Sequence, residues 1–143
     1  MIDAILLVDD EDLFHLVFED ACSLLEISLS LDAVYSADEA EELAQGWFLD
    51  PSLKPDCVFV DLNIIGSSFN GIELIRRVNQ NYGNDVVIGI ISSSADPIER
   101  EQAKAVGAMF WIVKSDEIEP RLEKFHADFE GFKNGTISYR EYL

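Results

Sequence analysis

Four apolar runs in this chain each stop on a polar residue, and the polar residue changes from run to run. Ile5-Leu6-Leu7-Val8 stops on Asp9-Asp10. Cys57-Val58-Phe59-Val60 stops on Asp61, Val86-Val87-Ile88-Gly89-Ile90-Ile91 on Ser92, and Met109-Phe110-Trp111-Ile112-Val113 on Lys114. Uninterrupted apolar runs of this length, rich in Val and Ile, read as strands buried on both faces of a parallel sheet. Right-handed crossovers place the C-terminal ends of such strands on one edge, and open α/β sheets bind their ligands there. Three carboxylates, a hydroxyl and an ammonium are therefore expected to converge. A carboxylate cluster suits a divalent cation, and a hydroxyl and a lysine beside it suit an anion. Together they describe a place to put a phosphoryl group.

The chain has 143 residues, which fits one domain. A domain of this size buries roughly 68–70% of its unfolded surface, enough for a substantial core. Asp and Glu number 28 against 10 Lys and Arg, a formal charge of −18. Such a balance repels nucleic acid and anionic membranes, because both are bound by Lys and Arg neutralising phosphate. No apolar run approaches the ~20 residues of a membrane span. Met1-Ile2-Asp3 lacks the basic start of a secretory signal, so a cytoplasmic location is expected. Cys22 and Cys57 sit in apolar contexts without metal-ligand spacing and read as buried free thiols.

Between the runs, helical spacing recurs. Asp12 to Cys22 carries apolar residues at helix intervals, and Ile27 to Val34 alternates loosely as a more exposed strand. Ser36 with Glu39 forms a capping box opening a helix from Ala37 to about Trp47. Leu62 to Asn70 reads as a long loop containing Gly66-Ser67-Ser68, and Gly71 opens the next helix. Tyr82-Gly83-Asn84-Asp85 reads as a turn. Asp96-Pro97 pairs an N-cap with proline at the first helical position, and Gly107 stops that helix. A last helix is expected from near Asp116 to about Glu130. Strict alternation of strand and helix predicts a doubly wound α/β architecture with five parallel strands and five helices.

On these residues the chain resembles the receiver domain of two-component response regulators, a flavodoxin-like fold. The likeness rests on Val8-Asp9-Asp10, on Pro55 to Asp61, and on Asn70-Gly71-Ile72-Glu73-Leu74-Ile75. Ser92, Gly107-Ala108 and Lys114 complete it. It covers about residues 4–130, so residues 1–130 are expected to form the receiver and 131–143 a short C-terminal tail. The resemblance implies that Asp61 accepts a phosphoryl group from a histidine kinase or histidine phosphotransfer protein. It implies Mg²⁺ held by Asp9, Asp10, Asp61 and the carbonyl of Asn63, with Lys114 and Ser92 on the phosphoryl oxygens and Trp111 as a switch aromatic. The chemistry agrees: phosphoryl transfer asks for positioning and electrostatics, since charge spreads over three equatorial oxygens. The expected role is a stand-alone switch that changes its binding to a downstream protein target, at most with self-catalysed phosphorylation and dephosphorylation. The resemblance also implies a possible homodimer through the face of the fourth helix, fifth strand and fifth helix, where Arg100, Lys104, Arg121 and Lys124 cluster.

The chain departs from the usual receiver pattern in two places. Ser115 follows Lys114 where proline is customary, and the stretch from Asp61 to Gly71 is longer than usual. Two other readings stand beside the switch: a pseudo-receiver that binds without taking phosphate, and a phosphatase of the haloacid-dehalogenase class with Asp10 as nucleophile. In the tail, Asn134 to Glu141 resembles the second half of a calcium-binding EF-hand loop. Glu130 and Phe132 stand where the first half needs short oxygen ligands, so a strand or helix packing its aromatic residues on the body is expected instead.

Overall fold

The structure, a computed structural model, describes residues 2–82, 85–115 and 117–143, with the side chains of Ser28 and Leu29 excepted. Gly83 and Asn84 of the expected turn, and Asp116 at the expected start of the last helix, lie outside the described residues. Strands and helices alternate: β1 Ile2–Val8, α1 Asp12–Leu25, β2 Ser28–Val34, α2 Ala37–Leu49, β3 Cys57–Val60, α3 Gly71–Arg77, β4 Val87–Ser92, α4 Pro97–Ala105, β5 Phe110–Val113, α5 Glu119–Lys133 and β6 Arg140–Tyr142. A short 3₁₀ turn, Pro51–Leu53, follows α2, and a wide π turn, Val78–Tyr82, extends α3. The sheet order is β2-β1-β3-β4-β5-β6, and every pairing is parallel.

Local chemistry accounts for the boundaries. Ser36 Oγ accepts the Glu39 N–H at 3.1 Å and opens α2. Asn70 Oδ1 does the same for Glu73 at 3.0 Å and opens α3. Asp96 caps α4 ahead of Pro97. Gly107 then turns the chain at φ +104°, a conformation that suits glycine, with the Asn79 amide against its α-carbon. Alternate strand residues feed two cores. Leu7, Phe59, Phe110 and Ile112 meet α1 and α5 through Phe18, Phe125 and Phe129. Leu6, Val60, Ile90 and Trp111 meet α2, α3 and α4 through Ala44, Leu74 and Ala103. Cys22 and Cys57 are free and buried, and burial pushes the Cys22 thiol up to about 12.

The strand count corrects the sequence reading: the sheet has six strands, not five. Residues 140–142 pair in parallel with β5, aligning Phe110 with Arg140 and Ile112 with Tyr142. Tyr142 is buried against Phe125 and donates its hydroxyl to Asp128 of α5 at 2.6 Å. Ile137 packs where a Cβ on Gly131 would stand, which explains a glycine inside α5. Glu141, at the terminal position of the EF-hand likeness, is paired with Arg100 at 2.7 Å. The last helix begins at Glu119 rather than near Asp116, and it continues to Lys133.

Candidate functional site

Asp9, Asp10 and Asp61 leave the C-terminal ends of the adjacent strands β1 and β3. One carboxylate oxygen from each lies within 4.8 Å of the others. Asp9 is fully buried and both its oxygens are engaged. Oδ1 accepts the Glu11 N–H at 2.8 Å and Oδ2 takes Lys114 Nζ at 2.6 Å. The same ammonium stands 3.4 Å from Asp61 Oδ2. Lys114 comes from the end of β5, and its own N–H donates to the Ser92 carbonyl at 2.8 Å, tying the ends of β4 and β5 together. Asp61 is 7% exposed. Burial, opposed by Lys114 and reinforced by Asp9, raises its carboxyl from 3.8 to about 6. One ammonium thus faces more than one carboxylate, a charge imbalance that a divalent cation would correct.

Gly71 is required here. A Cβ on it would come 2.2 Å from the Asp61 carbonyl oxygen, and its N–H donates to the Leu62 carbonyl at 2.9 Å. Asn63 is exposed, two residues beyond Asp61, and lines a shallow pocket with Ile64, Ile65 and Ser67. The long loop is pinned to α2 rather than free. Ser67 Oγ accepts the Ala37 N–H at 2.8 Å, and the Ser68 N–H donates to Asp38 at 2.9 Å. The Phe69 ring lies 3.9 Å under the Arg77 guanidinium, which also pairs with Glu41. Ser92 is the last residue of β4 and is buried, whereas Ser93 is exposed. Ser92 Oγ accepts the Ser94 N–H at 3.2 Å. Trp111 is fully buried, and its indole N–H donates to the Ser94 carbonyl at 2.9 Å.

Two residues of the site escaped the sequence reading. Phe14 lies 4.2 Å under Lys114 Nζ, a cation–π contact that holds the ammonium over the pocket. His15, the next residue of α1, is buried as well. Its Nε2 is 2.6 Å from the Asp9 carbonyl, its ring stacks on Tyr35 at 4.4 Å, and its Nδ1 has no hydrogen-bond partner among the described residues. Both lie in an amphipathic helix, where an inward aromatic ring gives the same periodic signal whether it meets a core or a site.

A profile of the response regulator receiver domain matches residues 5–124. The chain belongs to the response regulator receiver family. This receiver is 30% identical over 123 residues to "Response regulator ArlR" of Staphylococcus haemolyticus, covering 86% of this chain and 51% of the relative. It therefore spans about half the length of the curated relative it matches. Among solved structures, a two-component response regulator from Cytophaga hutchinsonii superposes with a TM-score of 0.78 at 22% identity, covering 91% of this chain and 98% of that one. The phosphorylated cyanobacterial phytochrome response regulator RcpA gives 0.71 at 19% identity, with 94% and 95% covered. The Mn²⁺-bound response regulator Rcp1 gives 0.68 at 16% identity, with 94% of each chain covered. These likenesses show the fold, and the acidic cluster is the one typical of a receiver's phosphoacceptor site. Among the described residues, no helix is long and apolar enough to cross a membrane.

Proposed function

We propose that this receiver takes a phosphoryl group on Asp61 and uses it to change a protein contact. The observation that carries the reading is the Asp9–Lys114–Asp61 arrangement at 2.6 and 3.4 Å, with Asp10 beside it, at the ligand-binding edge of a parallel sheet. A carboxylate oxygen of Asp61 forms the new P–O bond as the P–N bond of a phosphohistidine breaks, and the departing imidazole takes up a proton. The donor is a histidine kinase or a histidine phosphotransfer protein. Lys114 meets a phosphoryl oxygen as a point charge, steadied by the Phe14 ring. Ser92 Oγ, which accepts the Ser94 N–H, donates its O–H to a second phosphoryl oxygen, and Trp111, held by the Ser94 carbonyl, follows that loop.

The donor set suits Mg²⁺, which favours oxygen ligands and keeps several waters. Asp10 and Asp61 would bind it directly, joined by the Asn63 carbonyl. Asp9, with both oxygens already engaged, acts beside them or through water. When bound, the ion neutralises charge on the incoming phosphate. The solved relative with Mn²⁺ and the one that is phosphorylated support this reading by fold alone.

The experiment is an intact-mass measurement after incubation with Mg²⁺ and acetyl phosphate. One added phosphoryl group is expected, absent with EDTA and absent in Asp61→Asn. A folded protein that gains no phosphoryl group and fails to bind beryllofluoride would overturn the switch in favour of a binding module that never takes phosphate.

A further inference from the structure

Two of the residues expected to form a basic docking face, Arg100 and Arg121, are engaged by the chain's own C-terminal segment. Arg100 on α4 places Nη1 2.7 Å from Glu141 Oε1 and donates from Nε to the Ala95 carbonyl at 2.9 Å. Arg121 on α5 donates to the Leu143 carbonyl at 2.8 Å from Nη2 and to Ser115 Oγ at 2.6 Å from Nη1. Each guanidinium therefore joins segment 140–143 to a loop that leaves the site. Arg100 holds the loop after Ser92, and Arg121 holds the loop after Lys114. Tyr139 adds a hydroxyl bond to Glu141 at 2.8 Å, with its ring 5.3 Å from Lys104 Nζ.

We infer that the edge of β5, between α4 and α5, is a strand-docking surface whose occupant is segment 137–143 of this chain, and that Arg100 and Arg121 couple this docking to the occupancy of Asp61. The inference rests on Asp61 being the phosphoacceptor. Ser92 Oγ accepts the Ser94 N–H at 3.2 Å and can still donate its O–H, so a phosphoryl oxygen on Asp61 that takes this O–H draws residues 92–95 toward it and the Ala95 carbonyl with them. A guanidinium is one rigid plane. A shift of the Ala95 carbonyl pulls that plane out of line with Glu141, and the displacement is passed to β6 and loosens it. The strand is short enough to respond: it spans three residues, and its Arg140 N–H donates to the Met109 carbonyl at 3.0 Å. By linkage, freeing β6 must change the affinity of the site for a phosphoryl mimic by the same factor.

The test is amide hydrogen exchange on the full chain with Mg²⁺, with and without beryllofluoride, while ¹⁹F resonances report whether beryllofluoride is bound. Exchange at the Arg140 amide is expected to rise about tenfold on binding, the ordinary size of such couplings. In Arg100→Gln and Arg121→Gln, beryllofluoride is expected to bind while that rise shrinks. Bound beryllofluoride with unchanged Arg140 exchange in the unaltered protein would overturn the coupling and leave the acceptor reading in place. Absence of bound beryllofluoride from folded protein would overturn both.

Discussion

The acidic pocket and the sixth-strand edge use the same side chain, a carboxylate, in opposite ways. In the pocket, Asp9 and Asp61 are buried with Lys114 as their shared cation, and Asp61 is held above its ordinary value. At the edge, Asp128 takes the Tyr142 hydroxyl at 2.6 Å and Arg140 at 3.0 Å, and is held below its ordinary value, first by the tyrosine. The pocket keeps a charge the fold would rather lose; the edge uses charges that the fold gains by keeping. Binding a cation needs the first arrangement, because a pocket already neutralised by protein would have no pull on one. Anchoring a short strand needs the second.

The largest test of this contrast is Lys114→Met. Removing one member of a buried ion pair leaves its partners uncompensated, and a loss of about 3 kcal/mol is expected at pH 7.5 without metal. The loss should narrow at pH 5, below the value of about 6 to which Asp61 is raised, where that carboxyl takes up a proton. Urea unfolding in EDTA at both pH values measures it, and equal losses would mean that the ammonium matters by packing alone.

Asp61→Asn sharpens the comparison from the other side. Because folding raises the Asp61 carboxyl from 3.8 to about 6, the folded chain binds more protons than the unfolded chain between those values. Stability from this group therefore falls as pH rises through that window and stays low above it. The amide should gain about 1–2 kcal/mol at pH 7.5 without metal, after allowance for solvent at the pocket mouth, and nothing near pH 4. A variant that is less stable than the parent at pH 7.5 would break the contrast.

The smallest effect belongs to the edge. Tyr142→Phe removes one hydrogen bond to a partly exposed carboxylate and should cost about 0.5–1 kcal/mol. Here the sign reverses. The Asp128 value is depressed, so its contribution is present above the ordinary carboxylate range and is lost as pH falls below it. Arg140 amide exchange followed from pH 7 downward should show the edge loosening on acidification, and the Tyr142→Phe variant should lack that acid-dependent part. Acid tightening of the edge would contradict the assignment.

Much of this molecule was legible before any coordinates. Asp9, Asp10, Asp61, Ser92 and Lys114 were placed together because buried parallel strands have to be continuous apolar runs, and connection handedness sends their ends to one edge. Ser36, Asp96 and Gly107 announced helix ends because capping is local chemistry. β6 was not legible as a strand of this sheet. Arg140-Glu141-Tyr142 carries no apolar run, and its pairing with β5 depends on α5 carrying the chain back across the sheet. The long loop also read differently. Gly66-Ser67-Ser68 read only as part of a loop longer than usual, yet Ser67 and Ser68 bond the start of α2, thirty residues away in the chain.

The sequence by itself determined the alternation of five parallel strands with five helices and which strand-end side chains would meet, because periodicity, capping and crossover handedness act over short stretches of chain. Only the tertiary structure decided how those side chains share their charge. Lys114 sits closer to Asp9 than to Asp61, Phe14 lies beneath the ammonium, Asp61 is buried enough to resist ionisation, and two arginines fasten segment 140–143 to both loops of the site. Each of these depends on distance and burial between residues far apart in the chain, which no local pattern carries.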